Sequence, residues 1–226
     1  MFVRTDLEGN PQIEADANYV VSTDRGTTLE KSGVKIYTCE HVLAALVGMD
    51  VDNAVLEMNS AEPPIMDGSS KFFVEAIEKA GVVEQEQPRE YFAVTEVVNF
   101  TDPQTGSEIT IIPADTYEVT AMVDFGTNVL GTQNAVLKNI SDFKNEISSA
   151  RTFSFLHELE MLLDAGLIKG GDISNAIVYV DKELTPETAE KLTEIHNENF
   201  EENKDESYFL EILNNDLYSV FSLSEE

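Results

Sequence analysis

The sequence repeats one short pattern at two places. Residues 50–56 read DVDNAVL and residues 172–178 read DISNAIV. Each stretch follows a short predicted helix and a glycine, and each opens an apolar strand. The repeat predicts an α+β fold of two similar small domains, each a sheet packed with two helices. A chance likeness between two helix-to-strand turns is the alternative.

Glycine, proline and charge divide the chain into four stretches. Residues 1–81 are predicted to form the first α+β unit and residues 91–182 the second. Residues 82–90 are polar, charged and contain proline, which is typical of a linker. Residues 183–226 are strongly acidic and are predicted to be a partly helical appendage.

Local signals predict most elements of these stretches. In the first unit they predict strands at residues 34–38 and 53–58, a helix at 40–48, and a helix capped by Ser69 or Ser70 and ended by Gly81. In the second they predict strands in YFAVTEVVNF, EITIIP and YEVTAMVDF, the last two joined by a turn at ADT, then a polar loop, a helix at 155–165 and a strand at 175–180. In the appendage they predict a helix from Pro186 to about Asn199 with Thr185 as its cap, and an amphipathic helix in SYFLEILNNDLYSVFSL.

Charge excludes one broad class of function. The 226 residues include 14 Lys and Arg against 43 Asp and Glu, a net charge of −29 at pH 7. This excludes a nucleic-acid reader and argues against docking on anionic lipid. No long apolar run or signal peptide is present, so we expect no membrane insertion and a cytoplasmic location. The single cysteine excludes an internal disulfide and a multi-cysteine zinc site.

Three short motifs contain residues suited to catalysis. Glu40 and His41 open a helix directly after a strand, where imidazole can bind zinc and a carboxylate can take a proton from water. An acidic helix start beside a surface histidine is the alternative. Thr152 is either a donor to an oxyanion or a helix cap. Asp67 is either a supporting partner of a metal site or a turn residue.

The chain resembles a known enzyme family at these motifs. TCEHVLAALVGMDVDNAVLEM, EPPIMDGS and SARTFSFLHELEMLLDAGLIKGGDISNAIV are similar to the UDP-3-O-acyl-N-acetylglucosamine deacetylases, zinc enzymes of lipid A synthesis. DFGTNVLGTQNAVLKNISDFKNEI resembles the form fused to a 3-hydroxyacyl-carrier-protein dehydratase. The resemblance covers about residues 1 to 182.

The resemblance implies a role for each motif. It implies an active site between the two domains, with His41 as a zinc ligand and Glu40 as the general base. Thr152 matches the residue that stabilises the oxyanion, and Asp67 matches a supporting aspartate. Phe125 and Phe153 match positions that line the substrate site, and the segment after Phe153 matches an insert that forms a passage for the acyl chain.

The chain also departs from the family pattern. The family takes two further zinc ligands from a His-Lys-x-x-Asp helix and a catalytic acid from a later histidine. Here Met161 stands four residues after His157, and Phe200 four residues after His196. The family's opening strand pair is missing as well. We therefore expect a first domain that is incomplete, a chain truncated at both ends, and weak zinc binding and hydrolysis.

Two functions follow from these observations. The first is a zinc-dependent amidase that removes acetate from UDP-3-O-(3-hydroxyacyl)-N-acetylglucosamine, inactive or impaired in this chain. The second is a non-catalytic module that binds the lipid-sugar or a partner. Self-association, or a partner chain that completes the site, is expected if edge strands are missing.

Overall fold

The computed structural model describes residues 1–164, 175–182 and 184–203. These residues form short strands and helices in an α+β arrangement, which confirms the predicted fold class. The strands are β1 (Phe2–Arg4), β2 (Gln12–Ile13), β3 (Val20–Ser22), β4 (Thr28–Lys31), β5 (Val34–Ile36), β6 (Leu56–Met58), β7 (Val98–Thr101), β8 (Glu108–Ile111), β9 (Val119–Asp124), β10 (Thr132–Leu137), β11 (Phe153–Phe155) and β12 (Ile177–Tyr179). The α-helices are α1 (Glu40–Gly48), α2 (Lys71–Ala80), α3 (Phe143–Glu146), α4 (Leu156–Asp164) and α5 (Pro186–Asn203).

Two small sheets build the first unit. One has the order β2-β1-β6, with β1 antiparallel to β2 and parallel to β6, so that Phe2 lies opposite Leu56. The other is an antiparallel meander of β3, β4 and β5. Neither β1 nor β2 is predicted by the sequence pattern, because both are very short and because β6, one of the partners of β1, lies more than 50 residues away in the sequence. A core of buried side chains packs between these elements: Phe2, Ile13, Leu29, Ile36, Cys39, Val42 and Met58.

Helices α1 and α2 follow the predicted bounds. α2 begins after Ser70 and ends at Gly81, whose φ of 81° lies in the left-handed region that glycine favours. Ser69 provides the capping oxygen, which accepts a hydrogen bond from the N–H of Lys71 at 3.1 Å. The predicted caps at the two ends of α2 are therefore confirmed: a serine hydroxyl, that of Ser69, caps the start, and Gly81 ends the helix.

A second core cluster joins the first unit to the second. Ala45 of α1 and Val74 of α2 are buried together with Leu137, at the end of β10, and Phe143, the first residue of α3. These four side chains pack β10 and α3 against α1 and α2. The two units are therefore packed against each other through apolar contacts.

The strands β7 to β10 of the second unit form two separate antiparallel pairs. β7 pairs with β8 and β9 pairs with β10, both antiparallel, and β8 and β9 are not paired with each other in the described chain. The predicted ADT segment therefore connects two strands that belong to different sheets. The expected polar loop contains β10, which has the sequence TQNAVL. Its polar residues give no apolar strand pattern in the sequence. β10 lies largely in solvent, where a strand needs few apolar side chains.

The end of the described chain contains a parallel strand pair and two helices. β11 and β12 are parallel, as β1 and β6 are in the first unit. The N–H of Thr188 donates to the hydroxyl of Thr185 at 3.2 Å, which confirms the predicted cap of α5. The amphipathic helix expected at residues 207–223 and the start of the second repeat at Asp172 lie outside the described residues.

The stretch expected to be a linker has neither helix nor strand. Its Arg89 bridges the carboxylates of Asp50 and Asp52 at 2.7 Å each, just beyond the end of α1. Arg89 thereby fastens residues 82–90 to the first unit. The domain boundaries stay predictions.

Candidate active site

Glu40 lies at the first residue of α1 and is held by the backbone. Its Oε2 accepts a hydrogen bond from the N–H of Thr27 at 2.9 Å. A Cβ added to Gly26 would lie 3.4 Å from Oε1 of Glu40, so the chain before Thr27 passes close to the carboxylate. Glu40 itself is half-buried. This arrangement fixes the carboxylate through a backbone N–H, and among the described residues no cation is paired with it.

Strained backbone surrounds this carboxylate. Arg25 and Thr38 have φ angles of 54° and 50°, in the left-handed region that residues other than glycine rarely adopt. The two residues lie on the segments that flank Glu40, before β4 and before α1. Conformations of this kind persist where the surrounding structure enforces them, and they concentrate at functional sites.

His41 follows Glu40 in the first turn of α1. Its side chain is half-buried, and its carbonyl oxygen accepts a hydrogen bond from the hydroxyl of Ser70 at 2.9 Å. Because Ser70 is the cap residue of α2, this bond ties the starts of the two helices together. His41 is therefore anchored through its backbone.

The contacts of Asp67 are those of a turn residue. Its Oδ1 accepts hydrogen bonds from the N–H of Ser69 at 3.0 Å and from the hydroxyl of Ser69 at 2.7 Å. Its carbonyl oxygen accepts from Nε of Arg151 at 2.6 Å. The turn interpretation is thus supported by geometry, and the supporting role at a metal site stays a prediction.

Thr152 lies where this turn meets the second unit. Its N–H donates to the carbonyl of Gly68 at 2.7 Å, and its own carbonyl accepts from the N–H of Ile177 at 2.9 Å. The helix-cap interpretation of Thr152 is wrong, because β11 follows it and α4 begins only at Leu156. Glu158 performs the capping, since its Oε2 accepts from the N–H of Phe155 at 3.2 Å. A role for the Thr152 hydroxyl as oxyanion donor stays a prediction.

The two predicted substrate-site aromatics are in contact. The rings of Phe125 and Phe153 meet edge to face with centroids 5.3 Å apart, and Phe153 is 40% exposed. Phe155 and Tyr179 complete the cluster, with centroids 5.8 and 5.7 Å from Phe153. Sequence reasoning missed these two residues. The alternation Phe-Ser-Phe in β11 is the signal that places two rings on one face of a strand.

A histidine–aspartate pair lies beside this cluster and is also absent from the sequence predictions. The ring of His157 stacks on Phe155 with centroids 5.8 Å apart, and its Nδ1 is hydrogen-bonded to Oδ2 of Asp181. Burial raises the pKa of Asp181, but its hydrogen bonds from His157 outweigh this and hold the pKa below its usual range. No local sequence signal finds the pair, because it forms only when β12 reaches α4.

Within residues 1–164, 175–182 and 184–203, no three His, Cys, Asp or Glu side chains are grouped closely enough to hold a metal ion. A catalytic zinc normally takes three protein ligands. The residues around His41 therefore do not by themselves fit a zinc site.

Comparison with known proteins identifies the family. The family model for LpxC, UDP-3-O-acyl N-acetylglycosamine deacetylase, matches residues 1–197. This chain belongs to that deacetylase family. The match confirms the resemblance and extends past residue 182, into α5.

Individual relatives of the deacetylase family support the same assignment. A bifunctional enzyme LpxC/FabZ of Bacteroides thetaiotaomicron is 40% identical over 192 residues, which is 85% of this chain and 42% of that protein. The corresponding protein of Porphyromonas gingivalis is 43% identical over the same shares. The UDP-3-O-acyl-N-acetylglucosamine deacetylase of Myxococcus xanthus is 43% identical, over 79% of this chain and 56% of that protein. The aligned region thus spans about two fifths of the bifunctional relatives. None of the helices that the structure describes is long and apolar enough to cross a membrane.

Proposed function

We propose that this protein is a cytoplasmic, zinc-dependent hydrolase that deacetylates UDP-3-O-(3-hydroxyacyl)-N-acetylglucosamine in lipid A biosynthesis. Its family membership supports the substrate class and the reaction. The observation that carries the proposal is the fixed carboxylate of Glu40, held by the Thr27 N–H at the start of α1 and beside His41. No nucleic acid takes part.

Glu40 acts as the base in this proposal. Its carboxylate takes a proton from a water molecule, whose oxygen attacks the carbonyl carbon of the acetamide. The Thr152 hydroxyl donates a hydrogen bond to the oxygen that becomes negatively charged. The C–N bond then breaks, acetic acid leaves, and the proton that Glu40 took from water passes to the glucosamine nitrogen, which becomes the free amine.

The aromatic cluster gives the substrate an apolar contact surface. Phe125 and Phe153 lie edge to face, and Phe153 is partly exposed. An acyl chain or the sugar face packs on such rings and excludes water. The cluster thus positions the substrate, while Glu40 and Thr152 act on its acetamide.

In this proposal His41 is the one described residue assigned as a zinc ligand. Because the described residues do not complete a zinc site, the proposal takes its further ligands from outside them, either from other parts of the protein or from a second polypeptide. When bound, zinc would supply Lewis-acid chemistry at the attacking water. The steps assigned above to Glu40 and Thr152 are derived from this chain alone.

A binding module without turnover is the second candidate function. The partly exposed Phe153 on its cluster of rings favours it, since aromatic platforms bind apolar ligands without any metal. In that case the protein would hold the lipid-sugar and leave its acetamide intact.

Zinc content and amine release decide between the two functions. The protein is purified metal-free, zinc is added back, and both quantities are measured with the UDP-linked substrate. A deacetylase is expected to bind about one zinc per chain, as a catalytic site requires. His41→Ala is expected to lose that zinc, and Glu40→Gln to keep it while amine release falls by about 100-fold or more.

The control is His157→Ala, which removes a histidine that is hydrogen-bonded to Asp181 and should leave zinc binding unchanged. Absence of zinc and of amine release, with the substrate still bound, would establish the binding module instead. Zinc loss in both histidine variants would contradict a specific role for His41.

A further inference from the structure

The loop that holds Glu40 also reaches the second unit. Arg25, two residues before Thr27, places its Nη2 3.4 Å from Oε1 of Glu158 in α4. The side chains are 53% and 32% exposed, so the ion pair lies at the surface. It connects the unit that contains Glu40 with the unit that contains Thr152.

Glu158 is fixed at its own end. Its other oxygen, Oε2, accepts hydrogen bonds from the N–H of Phe155 at 3.2 Å and from the hydroxyl of Ser154 at 3.4 Å. Thr152 directly precedes β11 and Ser154 lies within it, and the alternation of side chains along a strand predicts that both project to the same side. Glu158 therefore links Arg25 to β11, the strand that directly follows Thr152.

Arg25 is equally constrained on the first unit. Its φ of 54° turns the chain toward Gly26 and Thr27, and the N–H of Thr27 holds the carboxylate of Glu40. A continuous series of contacts thus runs from Glu40 through Thr27 and Arg25 to Glu158. The series ends at β11, which directly follows Thr152.

We propose that Arg25, through Glu158, is a positioning residue that fixes residues 25–27, the loop that holds the Glu40 carboxylate, against β11, the strand that follows Thr152. The expected effect on turnover rests on the proposed deacetylase function. The expected effect on the position of the loop rests on the observed contacts alone. An exposed ion pair contributes little to global stability and is screened by salt. Its loss should therefore loosen the loop while the overall fold stays intact.

The test uses matched variants that remove charge and preserve size. Arg25→Gln removes the cation, and Glu158→Gln removes the negative charge but keeps an oxygen that accepts from Phe155. The double variant shows whether the two residues act as a pair, because coupled residues are not additive. Arg89→Gln is the control, since it breaks an ion pair at the other end of α1, about 13 Å away along the helix.

Hydrogen exchange of the Thr27 amide is the first readout, and the urea midpoint of unfolding is the second. Exchange at Thr27 is expected to be about three- to fivefold faster in each single variant than in the unmodified protein. The double variant should exchange no faster than the single variants. The urea midpoint and the exchange of β4 amides should stay as in the unmodified protein. Arg25→Lys should restore most of the protection, and Arg89→Gln should leave Thr27 unchanged.

The amine-release assay adds a catalytic readout. A positioning role predicts that kcat falls in Arg25→Gln while KM stays constant. Unchanged exchange at Thr27 in both single variants, or additive effects in the double variant, would overturn the inference. If the unmodified protein releases no amine, the proposed function fails, and the exchange data still decide whether Arg25 positions the loop.

Discussion

One glycine shows how side-chain packing can override backbone preference. Gly48 is the last residue of α1, and a Cβ built on it would lie 2.0 Å from Cδ1 of the Phe143 ring. Alanine normally stabilises a helix relative to glycine. Here the ring of Phe143 occupies the place of that methyl group, so the contact between α1 and α3 requires glycine.

We expect Gly48→Ala to lower the free energy of unfolding by about 1 to 3 kcal/mol, because an added methyl group in a packed core forces neighbours to move. Urea unfolding measures the change. Phe143→Ala is the companion variant, since it removes the ring that clashes. The double variant should lose less stability than the two single losses combined. A Gly48→Ala protein as stable as the original would contradict this packing argument.

Elements with local signals were predictable, and those with distant partners were not. α1 and α2 follow their apolar stripes and caps, so the sequence alone places Glu40 at a helix start. β1 and β10 were missed because their partners, rather than their own residues, define them as strands. The site divides in the same way. Motifs predict Glu40 and Phe153 as candidate site residues, whereas the contacts of Arg25 with Glu158 and of His157 with Asp181 depend on how the units pack.

The turn that contains Asp67 docks on the β11–β12 pair through Gly68. Its φ is 81°, and a Cβ there would lie 2.0 Å from the carbonyl oxygen of Asn175 and 3.0 Å from Cγ2 of Thr152. Gly33 has the same φ, but a Cβ would meet nothing within 4 Å. A comparison of substitutions at the two glycines therefore distinguishes the cost of backbone strain from the cost of a lost contact between elements.

We expect Gly33→Ala to cost about 1 kcal/mol of unfolding free energy, because only the left-handed backbone is strained. Gly68→Ala should cost at least about 2 kcal/mol more, because it also pushes the turn off β11. Urea unfolding of both variants, side by side, measures the difference. Equal losses would show that the docking of the turn contributes nothing to stability.

At the scale of the whole molecule, the β7–β8 hairpin leaves an apolar face in solvent. Val98 lies opposite Ile111 and Phe100 opposite Ile109, so all four share one face. They are between 47% and 61% exposed. The other face carries polar residues such as Asn99 and Thr110, which are hydrogen-bonded to each other. An amphipathic hairpin of this kind favours association.

We expect the protein to self-associate with rising concentration, and more strongly at high salt. Salt screens the repulsion between chains that each carry a net charge of −29. Size-exclusion chromatography with light scattering measures the mass. Phe100→Ser with Ile109→Ser should shift the protein toward monomer, whereas Asn99→Ser with Thr110→Ser, on the polar face, should not. Monomers at every concentration and salt level would contradict the prediction.

The parallel pairing of β1 with β6 sets an order of events during protein synthesis. Phe2 is fully buried, and its strand lies beside Leu56. At about 5 to 20 residues per second, the ribosome makes Leu56 roughly 3 to 10 seconds after Phe2. During that interval β1 lacks the partner it has in β6, so its apolar side chains are exposed to chaperones and to neighbouring chains.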